Sequence, residues 1–293
     1  MMTDFRLLVF VTTARELSFT RAAVELNISQ PAVTKHIKEL ERLLSTPLFR
    51  RSGNRISLSD DGERLLPIVE SILGGYRDLT DAVSLSEDGY SGHLRLGASS
   101  TITQYILPDI LARFRESYPR VTITLVSGNS EEVLAMVEQG RVDMALVEDA
   151  NTQSSFHYDN FRCDRVVLVS ASGKRRRIEM GDIAKLPLVL RENGSGTLEV
   201  VLRELQRHDI VRRGLNVVMQ IGSSEGIVRY LKASKCYAFI SQAAIIDSLQ
   251  RGELSVVDVE GFSIERMLRF ATLHGSSSQL CELFKEFCME SVG

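Results

Sequence analysis

Residues 18–44 confine the fold more tightly than any other stretch. Ser18 precedes a short helical segment, Phe19 to Leu26, that contains the adjacent small residues Ala22 and Ala23. Asn27 and Ile28 leave space only for a tight turn. Ser29 then stands at the N-cap of another helix, with Pro31 in the first turn, where a missing N–H costs nothing. Val33, Ile37, Leu40 and Leu44 recur at helical spacing and predict a stripe buried as far as Leu44. An earlier helix, from about Thr3 to Glu16, carries its own stripe in Phe5, Leu8, Val9 and Thr12. Small residues let the two later helices approach closely, which is the geometry of a helix-turn-helix.

In such a motif the second helix enters the major groove with its leading residues at base edges. Those residues are Gln30, Pro31, Thr34, Lys35 and Lys38. Gln and Thr suit base edges, and Lys suits a base or a phosphate. The stretch Phe49 to Leu58 then reads as two short strands around Gly53-Asn54, a wing carrying Arg50, Arg51 and Arg55 for phosphate or minor-groove contact. Residues 1–60 hold nine Lys and Arg against six Asp and Glu, and the remainder 26 against 32, within a total net charge of −3. This asymmetry permits a nucleic-acid-facing N-terminus without requiring one. The alternative, a three-helix domain with merely solvated charges, leaves the capped turn, the Gln-Pro start and the basic hairpin without a common cause.

The run from Phe19 to Glu41, continued by Pro47-Leu48-Phe49-Arg50-Arg51 and Leu58-Ser59-Asp60-Asp61-Gly62, resembles the signature of LysR-type transcriptional regulators. The resemblance implies a winged helix-turn-helix, mainly α, over residues 1–58. It places Gln30, Pro31, Thr34 and Lys35 in the recognition helix, Arg51 and Arg55 in the wing, and Thr20 and Arg21 at phosphates. Position 34 is often Ser in the family; Thr here keeps the hydroxyl and adds a methyl.

Residues 59–86 read as one long helix. Ser59 is the N-cap, acidic residues fill the first turn, and Leu65, Ile68, Val69, Ile72, Leu73, Leu79 and Val83 are its apolar positions. Pro67 and Gly74-Gly75 weaken it in isolation. Packing against an identical helix would offset that, and packing onto its own domain is the other reading. The family resemblance implies a dimerisation helix, and a dimer (or a tetramer built from dimers) implies an inverted-repeat operator. Residues 87–92 form a polar hinge.

From His93 onward apolar β runs alternate with helical stretches, an α/β pattern. Four times a strand runs into a small polar cluster and then a helix: Ser99-Ser100-Thr101, Gly128-Asn129-Ser130, Asn193 to Thr197, and Gly222-Ser223-Ser224. Ligands of open α/β sheets bind beyond the carboxyl ends of strands, and helix starts with hydroxyls suit anions. Ordinary helix capping explains any one cluster equally well. The family resemblance implies a periplasmic-binding-protein-like effector domain over 93–293, with subdomain one at 93–163 and 266–293 and subdomain two at 164–265. Within the family the clusters resemble regulators of sulfur-metabolism and carbon-fixation genes. That resemblance implies a small anionic effector, such as an inorganic sulfur anion or a carboxylate, held by Ser99, Ser100, Thr101, Asn129, Ser130, Thr197, Ser223 and Ser224. Many relatives carry Gly-Leu-Gly-Ile before the late strand, where this chain has Lys235-Cys236-Tyr237-Ala238. RNA polymerase is a further partner the family assignment allows.

The remaining features favour neither an enzyme nor a metalloprotein. Cys163, Cys236, Cys281 and Cys288 form no C-x-x-C pair and lack histidines at zinc spacing. Gly194-Ser195-Gly196 is not a nucleophile elbow, and no metal or nucleotide motif occurs. No cofactor is expected. The N-terminus shows no secretory pattern and no apolar run is long enough to span a bilayer, so the expected location is the cytoplasm, without membrane contact. Lys174 to Arg177 reads as a solvated basic turn.

Overall fold

The computed structural model describes residues 4–52, 55–83, 89–148, 153–171, 177–274 and 278–291; the side chains of 51, 52, 55 and 77–83 also lie outside the described set. Contacts divide the chain into two compact units, Met1–Gly89 with Glu138–Arg141, and Tyr90–Val137 with Val142–Gly293.

The first unit consists of α1 (Phe5–Glu16), α2 (Phe19–Glu25), α3 (Gln30–Leu44), the strands β1 (Phe49–Ser52) and β2 (Arg55–Leu58), and α4 (Asp60–Val83). Side-chain oxygens cap the first three helices: Asp4 accepts from Arg6 N, Ser18 from Arg21 N and Ser29 from Ala32 N. Such a cap is worth about 1 kcal/mol. Ala22 and Ala23 are buried with Val9, Phe10, Val33, Ile37, Leu40 and Leu48 in one core, which Val69 and Leu73 of α4 complete. Leu44 departs from the expected stripe and is 43% exposed. Its helix ends at Ser45 in the left-handed conformation, so the last turn projects past the edge of the core. The hairpin pairs Phe49 with Leu58 through Ser52 with Arg55; the Gly53-Asn54 turn lies outside the described residues.

Helix α4 begins where the expectation places it. Ser59 Oγ accepts from Gly62 N at 2.9 Å, and Asp60, Asp61 and Glu63 occupy the first turn. The helix continues through Pro67. It has two apolar faces: Val69 and Leu73 point into the core, whereas Ile68 and Ile72 are 55% and 44% exposed. The expected hinge, 87–92, falls partly on residues outside the described set.

The second unit is built on one nine-stranded sheet. In chain order it runs β3 (Gly92–Ser99), α5 (Ser100–Tyr105), α6 (Leu107–Ser117), β4 (Val121–Gly128), α7 (Ser130–Glu138), β5 (Met144–Glu148) and β6 (Phe156–Ala171). There follow β7 (Arg177–Ile178), β8 (Leu188–Leu190), α8 (Gly196–Arg207), β9 (Val217–Gln220), α9 (Ser224–Lys232), β10 (Tyr237–Ser241), α10 (Ile246–Gln250), β11 (Leu254–Val256), β12 (Asp258–Val259), β13 (Ile264–Leu273) and α11 (Gln279–Glu290). The strand order is β4-β3-β5-β13-β6-β10-β8-β9, and β11 pairs antiparallel with β6 off this path as the ninth strand. The trio β4-β3-β5 is parallel, and so is β10-β8-β9. Between them the long strands β6 and β13 pair antiparallel from Ile264–Val166 to Leu273–Phe156, with a register shift at Leu268/Arg269. Strand β5 joins β13 at one end of this ribbon, and β10 joins β6 at the other. Two α/β halves therefore share two strands. One half is packed around Leu94, Leu96, Phe114, Leu146 and Phe284, the other around Leu168, Leu190, Leu198 and Phe239.

At Gly62 the N-terminus of α4 presses against the Leu48 carbonyl: an added Cβ would overlap that oxygen and meet Leu58 Cδ2 at 3.1 Å. Gly62→Ala should therefore destabilise the first unit by about 1–3 kcal/mol, the usual cost of overpacking. Circular-dichroism melting of the variant checks this, and an unchanged melting point would refute the tight approach.

Candidate functional site

The first candidate surface is the leading end of α3. Gln30, Pro31, Lys35 and Lys38 are exposed and Thr34 is half-buried, whereas Val33 and Ile37 on the opposite side are in the core. Helical spacing alone dictates this division, because residues four apart share a face. Gln30 Nε2 donates to Thr34 Oγ1 at 3.0 Å, so the two side chains most suited to base edges are already oriented together. Pro31, Thr34, Lys35, Lys38, Glu39 and Arg42 line one shallow concavity. Arg42 was not among the expected residues; its spacing of seven from Lys35 is the signal that could have found it. Thr20 and Arg21 are exposed on α2, and Arg21 pairs with Glu16 at 2.6 Å. The backbone of Arg51 and Arg55 lies in the hairpin, and their side chains lie outside the described residues.

The second candidate site is where the strand ends of the two α/β halves face each other. Of the eight residues expected here, three converge on a group that was not expected, the carboxylate of Glu148 at the end of β5. Ser99 Oγ donates to Glu148 Oε1 (3.0 Å), Ser130 Oγ to Oε2 (2.6 Å) and Thr197 Oγ1 to Oε1 (3.5 Å). Glu148 is 2% exposed. Arg266, on β13, donates from Nη1 to Thr197 Oγ1 at 2.8 Å and lies 3.5 Å from Glu148 Oε1. Its other partner is Asp164 of β6, opposite it in the ribbon, at 2.7 Å. Ser241 Oγ donates to the same Asp164 carboxylate at 2.8 Å. Burial pushes the Glu148 carboxyl up, but Arg266, the Ser130 hydroxyl and Arg191 together outweigh it and hold the group below the ordinary glutamate value. It is an anion at neutral pH.

A second cluster surrounds Arg191. Thr101 Oγ1 and Ser224 Oγ are 2.8 Å apart, and Arg191 Nη1 donates to Ser224 Oγ at 3.0 Å. Arg191 is 4% exposed and forms a bidentate pair, 2.8 Å on both arms, with the half-buried carboxylate of its neighbour Glu192. Ser100 Oγ is buried with no hydrogen-bond partner among the described residues. The other two expected residues serve as caps. Asn129 exchanges two bonds with Glu132, each 2.9 Å, and Ser223 accepts from Gly226 N at 3.3 Å. Direct bonds also join the halves at Glu131 N to the Gly194 carbonyl (3.2 Å) and at the Tyr105 hydroxyl to Glu225.

Glu148, Arg191, Asp164, Arg266 and Ser241 were missed. Glu148, Arg191 and Ser241 each stand at the carboxyl end of a short apolar strand, and that position is the signal that marks them. No group of metal-binding side chains and no helix long and apolar enough to cross a membrane occurs among the described residues. The buried thiols Cys281 and Cys288 are pushed up to about 12 by burial, so neither is a thiolate at neutral pH. The basic turn expected at 174–177 lies outside the described residues except for Arg177, which pairs with Glu260 at 3.1 Å.

Two family descriptions cover nearly the whole chain. Residues 5–63 match "Bacterial regulatory helix-turn-helix protein, lysR family", and residues 87–293 match "LysR substrate binding domain". The chain is 31% identical over 270 residues to a probable RuBisCO transcriptional regulator of Trichormus variabilis, covering 90% of this chain and 80% of that one. The regulatory domain of CcmR from Synechocystis PCC6803, solved in complex with 2-PG, superposes with a TM-score of 0.62 at 25% identity, covering 69% of this chain and 97% of that one. A full-length OxyR variant from Pseudomonas aeruginosa, at 17% identity, shares the fold with a TM-score of 0.75 over 98% of this chain and 95% of that one. The expectation of a winged helix-turn-helix followed by an α/β effector domain is thus met, and the named relative is a regulator rather than an enzyme. The chain belongs to the LysR family of DNA-binding transcriptional regulators, with an effector-binding domain as its second unit.

Proposed function

We propose that this regulator reads an inverted-repeat operator as a dimer, or a pair of dimers, and that a small anion at Arg191 controls it. The observation that carries the effector reading is the buried Arg191 guanidinium, whose ion-pair partner is the adjacent Glu192, 27% exposed at its side chain. An incoming carboxylate, phosphate or sulfur oxyanion takes the place of the Glu192 carboxylate on the planar fork, so the guanidinium keeps a bidentate anionic partner. Thr101 and Ser224 supply neutral donors from both halves of the sheet, and the buried Ser100 hydroxyl, next in the chain to Thr101, has no partner of its own among the described residues. The 2-PG bound by the related CcmR domain supports an anion of this size. An effector that binds one arrangement of the halves better than another shifts the balance between them.

On DNA, Gln30 and Thr34 read base edges while Lys35, Lys38, Thr20, Arg21, Arg51 and Arg55 engage bases or phosphates, with Pro31 setting the helix start. The exposed Ile68 and Ile72 on α4 support a second copy of the chain as the partner of that helix. The 59–86 segment is then the dimerisation element and 87–92 the hinge. The setting is the cytoplasm, where such a dimer beside a promoter also meets RNA polymerase.

Three measurements test these assignments. Thr34→Ala should alter base preference by about 1–3 kcal/mol at one position of each half-site, whereas Lys38→Ala should weaken all sequences alike and lower the salt slope by about one. Fluorescence anisotropy on operator variants separates the two, and equal loss from both substitutions would undo the recognition-helix assignment. Ile72→Glu should convert the protein towards monomers in light scattering; an unchanged mass would remove α4 from the interface. Thermal-shift titration with sulfite, sulfate, thiosulfate, phosphate, 2-PG and small carboxylates should give a stabilising anion whose effect is lost in Arg191→Lys. A shift that survives that substitution would place the effector elsewhere.

A further inference from the structure

Beside the Arg191 cluster, the hydroxyls of Ser99, Ser130 and Thr197 and the guanidinium of Arg266 surround a single carboxylate, and that carboxylate belongs to the chain. Both of its oxygens are engaged, Oε1 by Ser99, Thr197 and Arg266 and Oε2 by Ser130. We propose that this cradle is a carboxylate-binding site filled in cis, with Glu148 as a tethered ligand that ties the two α/β halves together.

Three observations carry the assignment. The donors come from different parts of the fold: Ser99 and Ser130 from the half containing β5, Thr197 from the first turn of α8 in the other half, and Arg266 from the shared ribbon. The cradle is closed, with side-chain exposures of 0% for Arg266 and 1% for Glu148. No space remains beside the carboxylate, because a Cβ on Gly196 would stand 2.8 Å from Glu148 Cβ and 2.9 Å from both Glu148 Oε2 and Ser130 Oγ. A dissolved anion and the Glu148 side chain therefore exclude one another. Three hydroxyls that a reading of helix starts assigns to the effector are committed to an internal partner. The assignment stands apart from the Arg191 reading, since it holds whichever molecule Arg191 binds.

The fragment removed by Glu148→Ala is CH2–COO⁻, which acetate reproduces. The full-length variant should melt about 10 °C below the parent protein, because three buried hydroxyls lose their acceptor and the Arg266 cation loses one of its two carboxylates. About 100 mM sodium acetate, compared with chloride at equal ionic strength, should restore several degrees beyond any shift in the parent protein. If the variant does not fold in chloride, refolding from denaturant should succeed in acetate. Glu148→Gln fills the space without the charge and should melt low without responding to acetate. A Glu148→Ala protein indifferent to acetate, or a Glu148→Gln protein that melts with the parent, overturns the proposal.

Discussion

The antiparallel ribbon of β6 and β13 is the constraint on which the effector-binding unit rests. Parallel strands need crossover connections and bury both faces, so each trio of strands could stand as a small domain of its own. What unites them is that β5 and β10 pair with the same two strands at opposite ends. The register shift at Leu268/Arg269 falls within the stretch of β13 that pairs with β5, and the Asp164–Arg266 ion pair sits directly across the ribbon two residues before it. Removing one member of such a buried pair typically costs about 3–5 kcal/mol, because the other is left uncompensated. The pair is therefore weak evidence of added stability but a strong demand that both strands be present together.

From Arg266 the polar network passes through Thr197 to Glu148 and so to Ser99 and Ser130. Charge in this region is nearly balanced, with Arg191 and Arg266 against Glu148, Asp164 and Glu192. That balance separates two environments. Inward, every charge is matched by a partner that cannot move far. Arg191, by contrast, is matched by a side chain one residue away that reaches solvent. Exchange of partners is cheap at the second place and expensive at the first.

Much of this was legible in the sequence where the local rule and the tertiary structure agree. Ser18, Ser29, Ser59, Ser99 and Ser223 cap helices as their positions suggest. Ala22 and Ala23 are small because α2 is packed into the core of the first unit. Leu44 escaped, because apolar periodicity does not report where a core ends. The ionic groups of the cleft escaped for a different reason. Glu148 and Arg266 look like ordinary surface charges in a linear chain, and each is tolerable inside only because of partners far off in sequence, one another at 118 positions by their residue numbers and Asp164 for Arg266. Hydroxyls at helix starts advertise donors, but nothing local states whether the acceptor is a solute or another part of the same molecule.

Gly196 carries a consequence for how such a regulator can diversify. With no room for even a methyl group against Glu148 and Ser130, the inner wall is closed to gradual substitution: a single step there breaks several contacts at once. Glu192, the partly exposed partner of Arg191, faces no such lock. Descendants of this chain that come to answer different metabolites should therefore accumulate their changes around Glu192, while the Glu148 wall is inherited intact.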